Sequence, residues 1–235
     1  MATWVTHLMI ADKVLESLPQ LDARAFCVGN IAPDCNVENA DWTAFDPPRE
    51  VTHFMGSERK NGTEAERFWT EYVQTHAESM GSAQEFSFLL GYYAHLIADA
   101  EFQKMIRDKA RVAAVWDRIK AHPAWAQRVE NLEETWDAAK KLLSKKQLMR
   151  EISALEAEYL AGNPESGYLK HIVPLTEFPD YLDFMPKGCI ARKVHVMGGI
   201  PQAHQTEFLS ISREEYADYA ERTVKLTVQS LHNKM

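Results

Sequence analysis

The sequence predicts an all-α protein, and three observations carry that expectation. Apolar residues recur at three- and four-residue spacing through most of the chain, strand-like alternation is scarce, and capping signals precede several periodic segments. With 235 residues, of which 46% are hydrophobic, the chain can bury a full core and is short enough for one domain, read here as residues 1–235.

In order, Val5 to Leu18 reads as a helix stopped by Pro19, and Ala23 to Val28 as a short second one. Gly29 to Gly62 is rich in Pro, Asn, Asp and Gly and reads as the first of two long loops. Thr63 offers a cap for a helix running through Ser79, with Glu64 and Glu66 in its first turn. Gly81-Ser82 breaks the pattern, and Ala83 to about Arg107 is apolar on most faces, as expected of the central helix of a bundle. Arg111 to Ala121 and Trp125 to Tyr159, the latter interrupted near Ser144, read as charged outer helices. Ala161 to Glu207, punctuated by proline and glycine, is the second long loop. Ser212 with Glu215 then forms a capping box for a last helix to about Leu231.

A formal charge of -8 argues against general nucleic-acid binding, which needs cationic surface to neutralise phosphates. The first residues carry neither a basic region nor a long apolar run, so no signal peptide is expected, and no apolar run of about 18 residues predicts a membrane span. Three cysteines, Cys27, Cys35 and Cys189, without CxxC spacing, suit a reducing compartment and disfavour a thiolate metal site. Together these features lead us to expect a cytoplasmic protein.

The residues with most chemical content lie in the central helix. His95 and Asp99 are spaced i, i+4, so they share a face where most neighbours are apolar. A buried carboxylate needs a charge partner, and a metal ion satisfies both groups at once. His7, Asp34 and His53 are the other candidates outside the charged outer helices. Taken singly, each also has a plain structural role: His7 as a hydrogen-bonded core residue, Asp34 as an Asx-turn former after Pro33, His53 on a surface loop, and His95 with Asp99 as a core pair. Imidazole and carboxylate donors without thiolates suit zinc, manganese or iron. An HD-type phosphohydrolase would need an adjacent His-Asp dipeptide, which is absent. A ferritin-like di-iron site would need paired Glu-x-x-His motifs, of which only Glu50 to His53 is present.

The order and wording of these segments are distinctive. Thr6-His7-Leu8, Gly29-Asn30-Ile31-Ala32-Pro33-Asp34, Thr52-His53-Phe54 and Leu90-Gly91-Tyr92-Tyr93-Ala94-His95-Leu96-Ile97-Ala98-Asp99 resemble the zinc-dependent phospholipase C family with its S1/P1 nuclease relatives. The resemblance covers roughly residues 4 to 105. It implies a helical bundle holding up to three zinc ions that cleaves phosphate esters. It also implies that Asp34, His53, His95 and Asp99 ligate one metal, that Asp99 bridges to a second bound by His7, and that Asp34 is a candidate general base. The implied activity is a metal-dependent phosphoesterase that hydrolyses a phosphodiester, of a phospholipid or another molecule, by metal-activated water. The alternative is a non-catalytic metal-binding member that serves a ligand or partner.

The chain departs from the family pattern in two places. The classical members bind metal through an N-terminal Trp amino group, whereas here His7 lies too near Met1 for an equivalent extension, and Trp4 reads as a packing residue. Met105 stands where a further His is expected, and no later His has Glu four residues on. One or two zinc ions are therefore expected rather than three. Glu133 and Asp137, at i, i+4, could rebuild the missing site but read more simply as an exposed acidic face, and His122 reads as a surface residue. The aromatic and acidic loop Phe178 to Lys187 could cover the site, act as a packed connector or form a dimer contact. Gly198-Gly199 lacks the residues of a phosphate loop.

Overall fold

The computed structural model describes residues 2–56 and 62–235, and residues 57–61 of the first predicted loop lie outside it. The fold is all-α. Its helices are α1 (Trp4–Ser17), α2 (Ala23–Gly29), α3 (Arg49–Thr52), α4 (Ala65–Phe68), α5 (Ala83–Arg107), α6 (Lys109–Ala121), α7 (Trp136–Leu143), α8 (Lys145–Gly162), α9 (Cys189–Met197) and α10 (Arg213–His232). Among the described residues the sheet content is one antiparallel pair, β1 (Val37–Glu38) with β2 (Phe45–Asp46), Val37 facing Asp46.

Helix α5 is the axis of the structure. Ser82 caps it by accepting from the Glu85 N–H, Glu85 sits in its first turn and Lys104 and Arg107 in its last, all favourable to the helix dipole. Residues 87 to 99 are buried almost without interruption, so α5 meets neighbours on all sides. Asp108 ends α5 and its side chain caps α6 by accepting from the Arg111 N–H. The most extensive packing is α2 against α5, and α10 packs on both α1 and α5. One contiguous apolar cluster runs through all of these helices.

The α2–α5 crossing depends on two glycines. A Cβ on Gly29 would collide with the Phe88 carbonyl, and a Cβ on Gly91 with the Phe26 carbonyl. The helices therefore touch backbone to backbone, and only hydrogen fits at either position.

Buried polar groups fix the outer elements. Glu151 of α8 accepts from the N–H groups of Leu209, Ser210 and Ile211, tying down the entry to α10. The predicted capping box opens α10: Ser212 accepts from the Glu215 N–H, and Glu215 accepts from the Ser212 N–H. Glu156 of α8 accepts from the Thr6 N–H and hydroxyl, which satisfies first-turn donors of α1.

Several boundaries differ from expectation. Thr63 does not cap a helix, because its hydroxyl donates to the Leu96 carbonyl, and the segment to Ser79 is the short α4 followed by a π turn (Trp69–Val73) and a 3-10 turn (Ala77–Ser79). The helix expected from Trp125 starts only at Trp136, where Thr135 caps it, with Asn131 in a positive-φ turn before it. Glu133 therefore lies outside α7 and shares no helix face with Asp137, and both are exposed, so the rebuilt site considered for them is not formed. The second loop contains the unanticipated α9, started at Gly188 with φ +68 and held to the hairpin by Lys193 and Arg192 pairing with Glu38. The segment from Phe178 to Lys187 is a packed connector: Phe178 lies against Phe88, and Phe184 against Phe54, Tyr72 and Tyr92. The Gly199 carbonyl accepts from the Tyr168 hydroxyl.

Candidate metal centre

Five side chains from four separate segments meet beside the middle of α5. His95 and Asp99 come from α5 itself and His7 from α1. Asp34 comes from the 3-10 turn after α2 (Ala32–Asp34), and His53 directly follows α3. Two overlapping sets have donor atoms close enough to share an ion: His7, His95 and Asp99, and Asp34, His53 and His95. His95 belongs to both.

The hydrogen bonds around the rings determine which nitrogens face inward. His95 Nδ1 lies 2.7 Å from the Asn30 carbonyl, which can only accept, so Nδ1 carries the proton and Nε2 presents a lone pair. His53 Nδ1 lies 2.9 Å from the Thr52 hydroxyl, and when that hydroxyl donates to the Arg49 carbonyl, 3.4 Å away, Nδ1 carries the proton and Nε2 is left as an acceptor. The two inward nitrogens face each other at 3.4 Å. Asp34 Oδ1 lies 3.2 Å from His53 Nε2, and Asp99 Oδ2 lies 3.7 Å from it.

The donors that reach this cluster from outside, the Arg49 guanidinium and the Ala2 N–H, both go to Asp99, so a cation among the imidazoles and carboxylates would satisfy the remaining acceptors. His7 adds a second sign. Its ring stacks on that of His95 at 3.9 Å, and both of its nitrogens are buried without a hydrogen-bond partner, Nε2 standing 3.6 Å from Asp99 Oδ1. Orphaned buried nitrogens are rare in settled cores, and Nε2 stands beside a carboxylate that faces both donor sets. The residues present thus fit a divalent ion bound by nitrogen and oxygen, the donor chemistry of zinc.

Proton affinities follow the same geometry. Burial, then the neighbouring His7 ring, push His95 down to about 3, so it is neutral and ready to ligate at neutral pH. For Asp34, burial raises the proton affinity, but the His53 bond and the nearby His95 and His53 rings outweigh it and hold the carboxyl well below its usual range. Asp99 behaves likewise, with burial opposed by His7 and His95.

These shifts set the sign of the pH dependence. The unfolded His95 takes up a proton near pH 6.5 and the folded one only near 3, so stability falls as pH drops through this window. Asp34 and Asp99 act in the same direction at lower pH. Glu151 and Glu156, both raised by burial, act oppositely: they lose stabilisation as pH rises above the ordinary carboxyl value. The metal-free protein is expected to lose a few kcal/mol between pH about 6.5 and about 4, dominated by His95. A melting temperature that stays flat over that range would show that His95 is not held neutral.

Around the five residues lie groups that the sequence did not single out. Arg49, the first residue of α3, donates from Nη2 to Asp99 Oδ2 at 2.8 Å. The backbone N–H of Ala2 donates to Asp99 Oδ1 at 3.0 Å, so the segment ahead of His7 reaches the site through a backbone amide. Phe54, beside His53, has φ +47, a backbone conformation that is strained for a bulky residue and turns the chain sharply after the imidazole. The cationic position of Arg49 between Asp34 and His53 was its only sequence signal. His122 is outside the site, where it caps α6 and pairs with Glu207.

The sequence profile of the family described as zinc dependent phospholipase C matches residues 6–102, a span that contains all five converging residues. Over that span the chain is similar to the zinc-dependent phospholipase C family. No curated protein and no solved structure matches the chain. The matched span ends within α5, and α6 to α10 lie beyond it. Among the described residues, no helix is long and apolar enough to cross a membrane.

Proposed function

We propose that the protein is a metal-dependent phosphoesterase that hydrolyses a phosphodiester, with residues 1–235 acting as one domain. The observation that carries this reading is the meeting of His53 Nε2 and His95 Nε2 with Asp34 Oδ1 in a buried site, within the span that the phospholipase C family profile matches. Asp34, His53, His95 and Asp99 would hold one zinc, with Asp99 shared with a second at His7. Bound zinc supplies Lewis acidity, polarising phosphoryl oxygens and lowering the pKa of water.

The chain's own residues do the rest. The Asn30 carbonyl and the Thr52 hydroxyl fix the tautomers and orientations of the two histidines. Asp34 is the ligand nearest the outside, its side chain 12% exposed, and is placed to accept the proton of an attacking water. Arg49, 30% exposed, stands at the same mouth. The packed cluster of Phe54, Phe68, Tyr92 and Phe184 closes the flank beside His53 and excludes water there.

A second reading is a metal-binding member without turnover. It is favoured by a groove of about 920 Å³ lined by residues including Lys145, Arg150, Glu156 and His204 and by none of the five candidate ligands. The two readings separate on zinc-loaded wild type and Asp34→Asn tested against a panel of phosphodiesters. The proposed reaction predicts turnover by wild type and a loss of about 100-fold or more in Asp34→Asn, the scale expected for a general base. Stoichiometric zinc with no turnover of any diester would instead favour the binding role.

A further inference from the structure

Arg49 is the only described residue whose cationic group touches the two carboxylates of the centre. Its guanidinium donates to Asp99 Oδ2 at 2.8 Å and lies 3.8 Å from Asp34 Oδ1. Those are two of the oxygens that face His53 Nε2, at 3.7 and 3.2 Å. A cation bound to His53 would therefore compete with Arg49 for the same oxygens.

Charge makes the competition one-sided. Two buried carboxylates without an ion need a counter-charge, and Arg49 supplies it. A divalent ion neutralises them by itself, and a guanidinium kept beside it would then face like charge across a short distance. The side chain has somewhere to go. It is 30% exposed, and its bond to Asp99 is the one side-chain hydrogen bond it makes to a described residue. Its backbone need not move with it: the Arg49 carbonyl accepts from the His53 N–H and from the Thr52 hydroxyl, which ties the residue into the ligand-bearing turn.

We propose that Arg49 has two positions: in the metal-free centre it bridges Asp34 and Asp99, and in the loaded centre it swings outward to bind the phosphoryl oxygens of the substrate. The planar fork of a guanidinium matches two oxygens of a phosphate, which a lysine ammonium does not. This rests on the phosphoesterase reading and adds to it the residue that recognises the phosphate.

The test compares wild type with Arg49→Gln and Arg49→Lys in three measurements. Metal-free Arg49→Gln is expected to melt lower than wild type, because the carboxylates lose their counter-charge. Its zinc affinity, read by chelator competition, is expected to rise by about tenfold, because a competitor for the oxygens is gone. Inorganic phosphate, titrated into the zinc-loaded proteins by calorimetry, is expected to bind Arg49→Gln at least about tenfold more weakly, with Arg49→Lys in between. A soluble glycerophosphodiester in a parallel titration separates capture of the diester from capture of free phosphate.

Weaker zinc binding by Arg49→Gln would overturn the proposal, since Arg49 would then be a positioning residue for Asp99. Unchanged phosphate and diester binding would also overturn it. Wild type that takes up no zinc would refute the phosphoesterase reading itself, an outcome distinct from zinc binding that is indifferent to Arg49.

Discussion

Asp99→Asn is expected to abolish stoichiometric metal binding while leaving a folded, less stable protein. The two oxygens of Asp99 face different partners: Oδ1 receives the Ala2 N–H and faces His7, and Oδ2 receives Arg49 and faces His53. An asparagine offers one acceptor and one donor, so either Ala2 or Arg49 would meet an NH2 group in place of an oxygen, at a cost of about 1–3 kcal/mol for the unsatisfied donor. The loss for the metal is larger, because the residue facing both donor sets also loses its charge. Affinity for zinc should fall by more than the roughly 10–100-fold that follows loss of an outer partner of a ligand. Metal analysis after dialysis and a thermal melt check both halves, and retained stoichiometric zinc would remove Asp99 from the centre.

Gly91→Ala is the second large effect, and it acts at a distance from any ligand. The added methyl would press on the Phe26 carbonyl, which is backbone inside α2 and cannot rotate aside as a side chain could. Overpacking of this kind costs about 1–3 kcal/mol, and a backbone contact places it at the upper end. The consequence extends to function, because α2 carries the chain directly into Asn30, whose carbonyl fixes His95. Pushing α2 away from α5 lengthens that bond and frees the His95 ring. The expected result is a lower melting temperature together with weaker zinc binding. The same substitution at Gly162, where a Cβ meets nothing, should leave zinc binding unchanged. Equal behaviour of the two variants would show that the α2–α5 contact does not hold the centre in place.

The elements that the sequence announced are those whose local signals agree with their surroundings. Helix α5 has a cap, a dipole-compatible charge pattern and an unbroken apolar run, and α10 has a complete capping box. The five converging residues were legible because four short segments each carry one or two of them in distinctive wording. What sequence could not show was decided by tertiary partners. Thr63 looks like a cap but donates across to Leu96, and α9 is held by tertiary partners, Lys193 and Arg192 reaching Glu38 while Cys189, Ile190 and Val194 are buried. Glu133 and Asp137 fit a helix face only if the helix starts early, and it starts at Trp136. Arg49 escaped notice because an exposed-looking cation in an irregular segment has no periodicity to mark it, and its meaning comes from Asp99, 50 positions away.

The central claim is that a divalent metal is held between these histidines and carboxylates. Anomalous diffraction from crystals of the zinc-loaded protein, recorded on both sides of the zinc absorption edge, tests it most directly. The result expected is a peak at bonding distance, about 2.0–2.2 Å, from His53 Nε2, His95 Nε2 and a carboxylate oxygen of Asp34 or Asp99. A peak ligated by other residues, or stoichiometric protein with no peak at this position, would contradict it.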